Sequence, residues 1–438
     1  MFHPNIQVRW RSVIPHTASA RFRQRMQPQR KSPARRERTE DGKLGNPSVV
    51  FVINSLTIGG AERHLVRLTS ALQQRGGWHV SVYCLSRTGA FVREMEENGV
   101  LVAGRSHAWS KRNLPLVAWD LFCYLRRERP AIVHSYLPAA DLLGALLARA
   151  VGVRTVVTTR RCQMLAGSWH GILGQLALRL VRWASTVTIA VSEAARQNVL
   201  DEGAAPEAVV TVPNAVSIPE ALPQRQRAFE GFPIIGSTSR LESYKGHTYL
   251  IDAFRLLVGE FPEARLAIAG DGPERHALER KVRSLRLDDP IQFLGEVRDA
   301  RSLLPEFDIF VLPSLEEGMP NGVLEAMAAG VPVVASNVGG VGEMLVHEKS
   351  GLLVEPASSE SLARALIRLA RSESERRSLA DSARTAVRER YSPELELAGT
   401  VAVYLRCLAR HAGENDRASL SDPEAATATT VPPVRARN

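Results

Sequence analysis

PSLEEGMPNGVLEAMAAGVPVVAS, residues 313–336, is the stretch whose reading decides the fold. The β-branched run 309–313 ahead of it reads as a buried strand, so Ser314 to Pro320 form the loop at that strand's carboxyl end. Pro320 or Asn321 opens a helix through Leu324, Met327 and Ala328, which Gly330 and Pro332 stop. The apolar run 333–335 starts the next strand. A strand, a helix and a strand in immediate succession make a crossover unit, which requires a parallel sheet.

The same rhythm extends in both directions. In the second half, 233–237, 266–270, 291–294 and 352–354 read as further strands, with a helix over 247–260. In the first half the strands are 48–54 (SVVFVIN), 80–85, 131–135, 155–159 and 187–191, and a helix through Leu65, Leu68 and Leu72 follows TIGGAERH. Between the halves, 216–231 (VSIPEALPQRQRAFEG) loses all periodicity and reads as a linker. The expected class is α/β: two doubly wound Rossmann-like domains, 46–218 and 231–392, facing across a cleft, then a final helix over 393–410. Ligands in such sheets bind beyond the carboxyl ends of the strands.

The chain has 438 residues, 45% of them hydrophobic and 23% charged, which excludes a collagen-like, wholly disordered or small disulfide-scaffold protein. A net charge of +10 suggests nucleic acid or a membrane surface as partner. Residues 1–45 hold eleven Lys and Arg against Glu37, Glu40 and Asp41, a net +8, without hydrophobic period. They read as a disordered, non-catalytic extension, although a transit-like segment or a mis-assigned start fits the same composition. The tail 411–438 reads as disordered and carries −1, leaving +3 on the body. The basic arm has almost no interleaved aromatics, so no nucleic-acid partner is expected. There is no secretory stretch, and no run approaches the roughly 18 apolar residues of a membrane span. Cys84, Cys123, Cys162 and Cys407 form no CxxC pair and read as reduced core thiols of a cytoplasmic protein.

The densest chemistry is again in 313–336. The loop amides and helix N-terminus there offer an anion site, and Glu325, one turn into the helix, could accept two hydroxyl hydrogen bonds from a ribose diol. Upstream, GSTSRLESYKGHTYLIDAF sets Arg240 and Lys245 just after the second half's first strand. A guanidinium fork and a compact ammonium suit a diphosphate, although solvated loop charges are the commoner fate of such residues. The chain contains no Asp-x-Asp, a usual device for holding a divalent ion on a nucleotide-sugar, so neither metal nor cofactor is expected. AIAGDGPER and FLGEV bring the backbone at Gly270 and Val297 to strand ends, either as plain turns or as close approaches to a nucleotide base.

At these residues the chain resembles the GT-B glycosyltransferases of the large group 1 class (family 4), retaining enzymes that use nucleotide-sugars. The resemblance rests on LTIGGAERH, IVHSYLPAAD, TSRLESYKGH, IAGDGPE and the pair Glu317 and Glu325 in their setting, and it covers about 46–410. It implies that Gly59 and Gly60 form a loop over the donor phosphates. His134 would face the transferred sugar, and Arg240 and Lys245 would hold the diphosphate. Glu317 would bond the sugar, with Gly318, Met319, Pro320 and Asn321 nearby, and Glu325 would hold the ribose. The final helix would cross back onto the first domain. Ala215 stands where the family often has Gly, and Gly342 where Pro or Ala is usual.

The implied function is transfer of a sugar from a UDP- or GDP-sugar to a glycan or lipid-linked saccharide. A sugar-nucleotide epimerase of the same fold, or a silent nucleotide-sugar- or membrane-binding partner in a polysaccharide assembly complex, are the alternatives. In residues 171–183, Ile172, Leu173, Leu176, Leu180 and Trp183 share one helical face, while Gln175, Arg179 and Arg182 line another. Such a helix is more often packed in a core with its basic stripe solvated. Peripheral contact with an anionic membrane at its inner face is the other reading.

Overall fold

The computed structural model describes residues 46–106, 110, 112–161, 171–220 and 233–412. The expected disordered arm 1–45, most of the linker and the tail beyond 412 lie outside the described residues, as does Cys162.

Strands alternate with helices throughout. The first half runs β1 (Ser48–Ile53), α1 (Gly60–Arg75), β2 (His79–Cys84), α2 (Phe91–Glu97) and β3 (Leu101–Gly104). It continues with α3 (Leu114–Glu128), β4 (Ile132–Tyr136), α4 (Pro138–Ala150) and β5 (Thr155–Arg160). α5 (Ile172–Ala184), β6 (Val187–Ala190), α6 (Glu193–Asp201) and β7 (Val209–Thr211) complete it. The second half begins β8 (Ile234–Thr238), α7 (His247–Glu260), β9 (Arg265–Ala269), α8 (Arg275–Ser284) and β10 (Ile291–Gly295). Then come β11 (Ile309–Leu312), α9 (Asn321–Ala328), β12 (Val333–Ser336), α10 (Val341–Met344) and β13 (Leu352–Val354). α11 (Ser359–Arg371), α12 (Glu373–Arg390) and α13 (Pro393–Ala412) close the chain.

Two all-parallel sheets result, ordered β3-β2-β1-β4-β5-β6-β7 and β10-β9-β8-β11-β12-β13. Both are doubly wound, the α/β two-domain architecture expected. β1 reads as one apolar run because helices cover both faces of its sheet: every residue after Ser48 is buried. In each sheet the order reverses once, between β1 and β4 and between β8 and β11. Those switch points are where chain leaving the strands splays apart and opens a crevice.

α13 crosses back to the first sheet. Its Val401, Val403, Tyr404 and Cys407 are buried in the core formed by β1, α1 and β2, and Tyr404 packs on Trp78 with ring centroids 5.6 Å apart. Cys84 and Cys407 are buried thiols, but Cys123 on α3 is exposed, which corrects the reading of that residue as a core thiol. Ala215 needs no glycine conformation: it is absent from the positive-φ residues and buried, with its amide 3.0 Å from Glu396 Oε1. Among the described residues no helix is long and apolar enough to cross a membrane.

Candidate functional site

The two switch points meet. β1 leads into Gly59 and Gly60, β8 into Ser239 and Arg240, and β11 into the loop before α9. Between them lies a cleft of about 620 Å3, walled by Gly59, Gly60 and Arg63 on one side and by Arg240, Gly270, Val297, Asn321 and Glu325 on the other.

Two glycines make this geometry. Gly270 has φ 149°, and a Cβ there would stand 1.9 Å from the Ser239 carbonyl, so only glycine lets the end of β9 pass beneath the Arg240 segment. Gly246 has φ 67°, and a Cβ would meet the Pro313 carbonyl at 2.0 Å. Its bareness brings Lys245 against the loop after β11.

On the cleft wall, the Arg240 side chain is 68% exposed and pairs with Glu242 at 3.0 Å. Asn321 spans the cleft: its Nδ2 donates to the Gly60 carbonyl at 3.1 Å, while its buried Oδ1 has no partner. Burial pushes the Glu325 carboxyl above the ordinary carboxylate range, against the pull of Arg63 and Arg301. A hydroxyl pair arriving there would give this carboxylate the hydrogen bonds that desolvation withholds.

Other expected residues stand behind the wall. Lys245 Nζ lies 2.6 Å from Glu317 Oε1, which also accepts from Ser314 Oγ at 2.7 Å. The Gly318 carbonyl accepts from the Gly340 amide at 2.9 Å. The Met319 carbonyl accepts from Asn214 Nδ2 at 2.8 Å. Pro320 is the cap residue of α9. These three tie the loop into the body and do not line the cleft.

His134 departs from the expectation. It is 1% exposed, with Nδ1 2.6 Å from the Tyr404 hydroxyl and Nε2 2.6 Å from Thr159 Oγ1. Burial, then His64 and Arg161, hold it neutral, well below the usual histidine range. Both its nitrogens are engaged and it is not among the residues lining the cleft; it links β4 to Tyr404 of α13 and Thr159 of β5.

Several residues of the site escaped the sequence reading. Arg63 donates to the Arg298 carbonyl, lies 3.5 Å from Asp299 and faces Glu325 across the cleft. One turn on, Arg67 and His64 both hold Glu396 of α13, at 2.8 and 2.9 Å. Arg161, half-buried, donates to Asn214 Oδ1 at 2.9 Å and lies over the Tyr136 ring. Glu343 accepts from the Glu193 and Ala194 amides, both at 2.8 Å. The spacing Gly60, Arg63, His64, Arg67 on one face of α1 was the available signal. Their partner Glu396 on α13 lies 332 and 329 residues from His64 and Arg67, and Glu343 lies 150 from Glu193.

Comparison with known proteins agrees with this architecture. The family described as "Glycosyltransferase Family 4" matches residues 58–219, and "Glycosyl transferases group 1" matches 220–386. The lipopolysaccharide core biosynthesis glycosyltransferase LpsD of Rhizobium meliloti is 28% identical over 344 residues, 78% of this chain and 94% of its own. The UDP-Gal:alpha-D-GlcNAc-diphosphoundecaprenol alpha-1,3-galactosyltransferase of Escherichia coli is 26% identical over 57% of this chain and 69% of its own. Among solved structures, Anabaena HepE in complex with UDP-glucose superposes with a TM-score of 0.70 at 21% identity, covering 82% of this chain and 99% of that one. Sucrose-phosphate synthase of Thermosynechococcus elongatus does so with 0.69 at 20%, over 83% and 100%. Both share the fold.

Proposed function

Because the chain belongs to the group 1 glycosyltransferases, we propose that it moves a sugar from a UDP- or GDP-sugar to a hydroxyl of a glycan or lipid-linked saccharide, with retention and without a metal, in the cytoplasm. The observation that carries this reading is the cleft itself. A glycine pair, an exposed guanidinium and a desolvated carboxylate converge there on a space of about 620 Å3.

Each wall then has a task. Glu325 accepts the two ribose hydroxyls, and the unpartnered Asn321 Oδ1 accepts a further donor from the ligand. Gly59 and Gly60 present bare backbone to the diphosphate. Arg240 neutralises it from the opposite side, and Lys245 joins when a phosphate competes with Glu317 for its ammonium. Glu317, so released, turns a carboxylate to the sugar hydroxyls. The acceptor oxygen attacks the anomeric carbon from the face the diphosphate leaves. The carbon–phosphate oxygen bond breaks as the new glycosidic bond forms, and the acceptor proton passes to the departing phosphate oxygen. Charge stabilisation by Arg240 and Lys245 and the absence of an Asp-x-Asp sequence support a metal-free course.

A thermal-shift panel of nucleotide-sugars tests the donor, since a ligand bound to the folded state raises Tm by mass action. One UDP- or GDP-sugar is expected to stabilise the protein, and a flat panel at millimolar donor overturns the reading. Incubation with that donor alone separates transfer from epimerisation. The anomeric configuration of the product, read by NMR, tests retention.

A further inference from the structure

Helix α5 turns its apolar side outward, the reverse of a core-packed helix. Ile172, Leu173 and Trp183 are 89, 82 and 73% exposed, and Leu176 and Leu180 are exposed with them. α4 packs between α5 and α3. On α4, Leu142, Leu143 and Leu146 are half-buried. On α3, Leu116 and Trp119 are exposed, and Trp119 stacks on Phe122. The connections β3 to β4, β4 to β5 and β5 to β6 all advance in one direction, so the right-handed crossover rule puts these three helices side by side on one face of the sheet.

The position of the apolar residues is informative. Each helix starts where a parallel strand ends, so its first half lies at the sheet's carboxyl edge, the edge that carries the cleft. Leu116, Trp119, Ile172, Leu173 and Leu176 fall in first halves, and Leu180 and Trp183 continue the exposed apolar line to the far end of α5. The exposed charged side chains of α3, α4 and α5 are Arg126, Arg127 and Arg179, with the partly exposed Glu128 paired to Arg127 at 2.9 Å.

We propose that this face rests on an anionic lipid bilayer and so sets the mouth of the cleft at the membrane surface, where a lipid-linked acceptor presents its sugar. An apolar surface of this extent marks a contact site, not a water-facing side. Two copies packed through it would bring arginines together, whereas anionic headgroups neutralise them while the apolar side chains enter the acyl boundary. The inference rests on the acceptor class proposed above and is independent of the donor.

The test is sedimentation of the full-length protein with phosphatidylglycerol–phosphatidylcholine vesicles and with phosphatidylcholine alone. Binding to the anionic vesicles is expected, with at least a tenfold loss in Leu173→Glu/Trp183→Glu. Neither residue is buried or lines the cleft, so Tm and the nucleotide-sugar shift should not change. Wild type that stays in solution at low salt, or a double variant that pellets as well as wild type, overturns the proposal. So does a dimer, seen by sedimentation velocity, that the same substitutions dissociate while the wild type ignores vesicles. Vesicle binding lost in the variant beside a flat donor panel would support the membrane face and remove only the transferase reading.

Discussion

Lys245 and Glu317 are joined by a 2.6 Å ion pair whose side chains are only 16 and 8% exposed, so the cation assigned to the donor diphosphate is engaged by a carboxylate of the same site. The pair ties the segment after β8 to the loop after β11, across the switch point. Removing one member leaves a buried charge uncompensated. Lys245→Ala should therefore cost about 3 kcal/mol of stability and also reduce turnover. Adding Glu317→Gln should restore much of the stability but none of the turnover. Urea unfolding and kcat on the two variants check it: a double variant no more stable than Lys245→Ala would show that the pair is not what holds the loop.

Glu325 makes a sharper claim about binding. Its carboxyl is raised by burial, against the electrostatic pull of Arg63 and Arg301. Charge-assisted hydrogen bonds of the kind a ribose diol would make are worth about 1.5–3 kcal/mol. Glu325→Ala should weaken nucleotide-sugar binding by roughly ten- to a hundredfold with Tm of the free protein changed little. Calorimetric titration with the donor found by thermal shift measures this directly, and an unchanged Kd would remove Glu325 from the donor site.

How much of this was legible in the chain depended on how local the cause was. The second half's six strands are short, mostly apolar runs with Gly or Pro at or beside at least one end, and all six were readable. β3 (Leu101–Gly104) and β7 (Val209–Thr211) escaped because they are short edge strands with one buried residue each and no Gly or Pro immediately before them, unlike β13, which follows Gly351. Gly59, Gly60, Arg240, Asn321 and Glu325 reach the cleft because each lies in the loop, or in the first turns of the helix, that follows a strand's carboxyl end, which sequence spacing can see. His134, expected at a strand end, lies in the middle of β4, and its surroundings are set by Tyr404, 270 positions on. The exposure of α5 was equally invisible, since a periodic apolar face looks the same whether it meets a core or a bilayer.

Acid should unfold the protein in two overlapping stages. Burial, then the charge of Arg161, lowers His64 to about 4, and burial, then Lys245, lowers His247 to about 4. Between pH 6.5 and 4 the unfolded chain takes up protons at these sites that the folded chain refuses, so stability falls as pH falls through that window. Each site contributes at most about 3 kcal/mol. Below pH 4.5 a second loss begins at Glu396: burial alone would raise its carboxyl, but His64 and Arg67 more than offset this and lower it to about 2. Its stabilisation is present above pH 4.5 and disappears as pH drops toward 2. Denaturant midpoints at pH 7, 6, 5 and 4 follow this decline, and His247→Asn should make the first stage shallower. Asp141, whose carboxyl burial raises to about 7, stabilises the fold as pH falls through the same window, so the histidine contribution is read as the difference between wild type and His247→Asn, and an identical slope in the two would mean that His247 titrates normally.

Glu343 supplies the last test, because it crosses between the halves to a helix that is not its own. Its carboxylate accepts from the Glu193 and Ala194 amides at 2.8 Å, the first residues of α6, where Ser192 already satisfies the Ala195 amide. The backbone of the same residue is held from α12 and its exit, with the Glu343 carbonyl accepting from Tyr391 Oη at 2.9 Å and Arg390 Nη2 at 3.1 Å. An ionised side chain at a helix N-terminus gains from both the unpaired amides and the helix dipole, about 1–2 kcal/mol together. Glu343→Ala should lose that amount. Because the contact joins the two halves, it should also make the α6 amides exchange hydrogen faster while those of α4 and β4 keep wild-type protection. Hydrogen-exchange mass spectrometry distinguishes the cases. Uniform deprotection across the chain would indicate global destabilisation alone, and no change at α6 would show that Ser192 suffices as its cap.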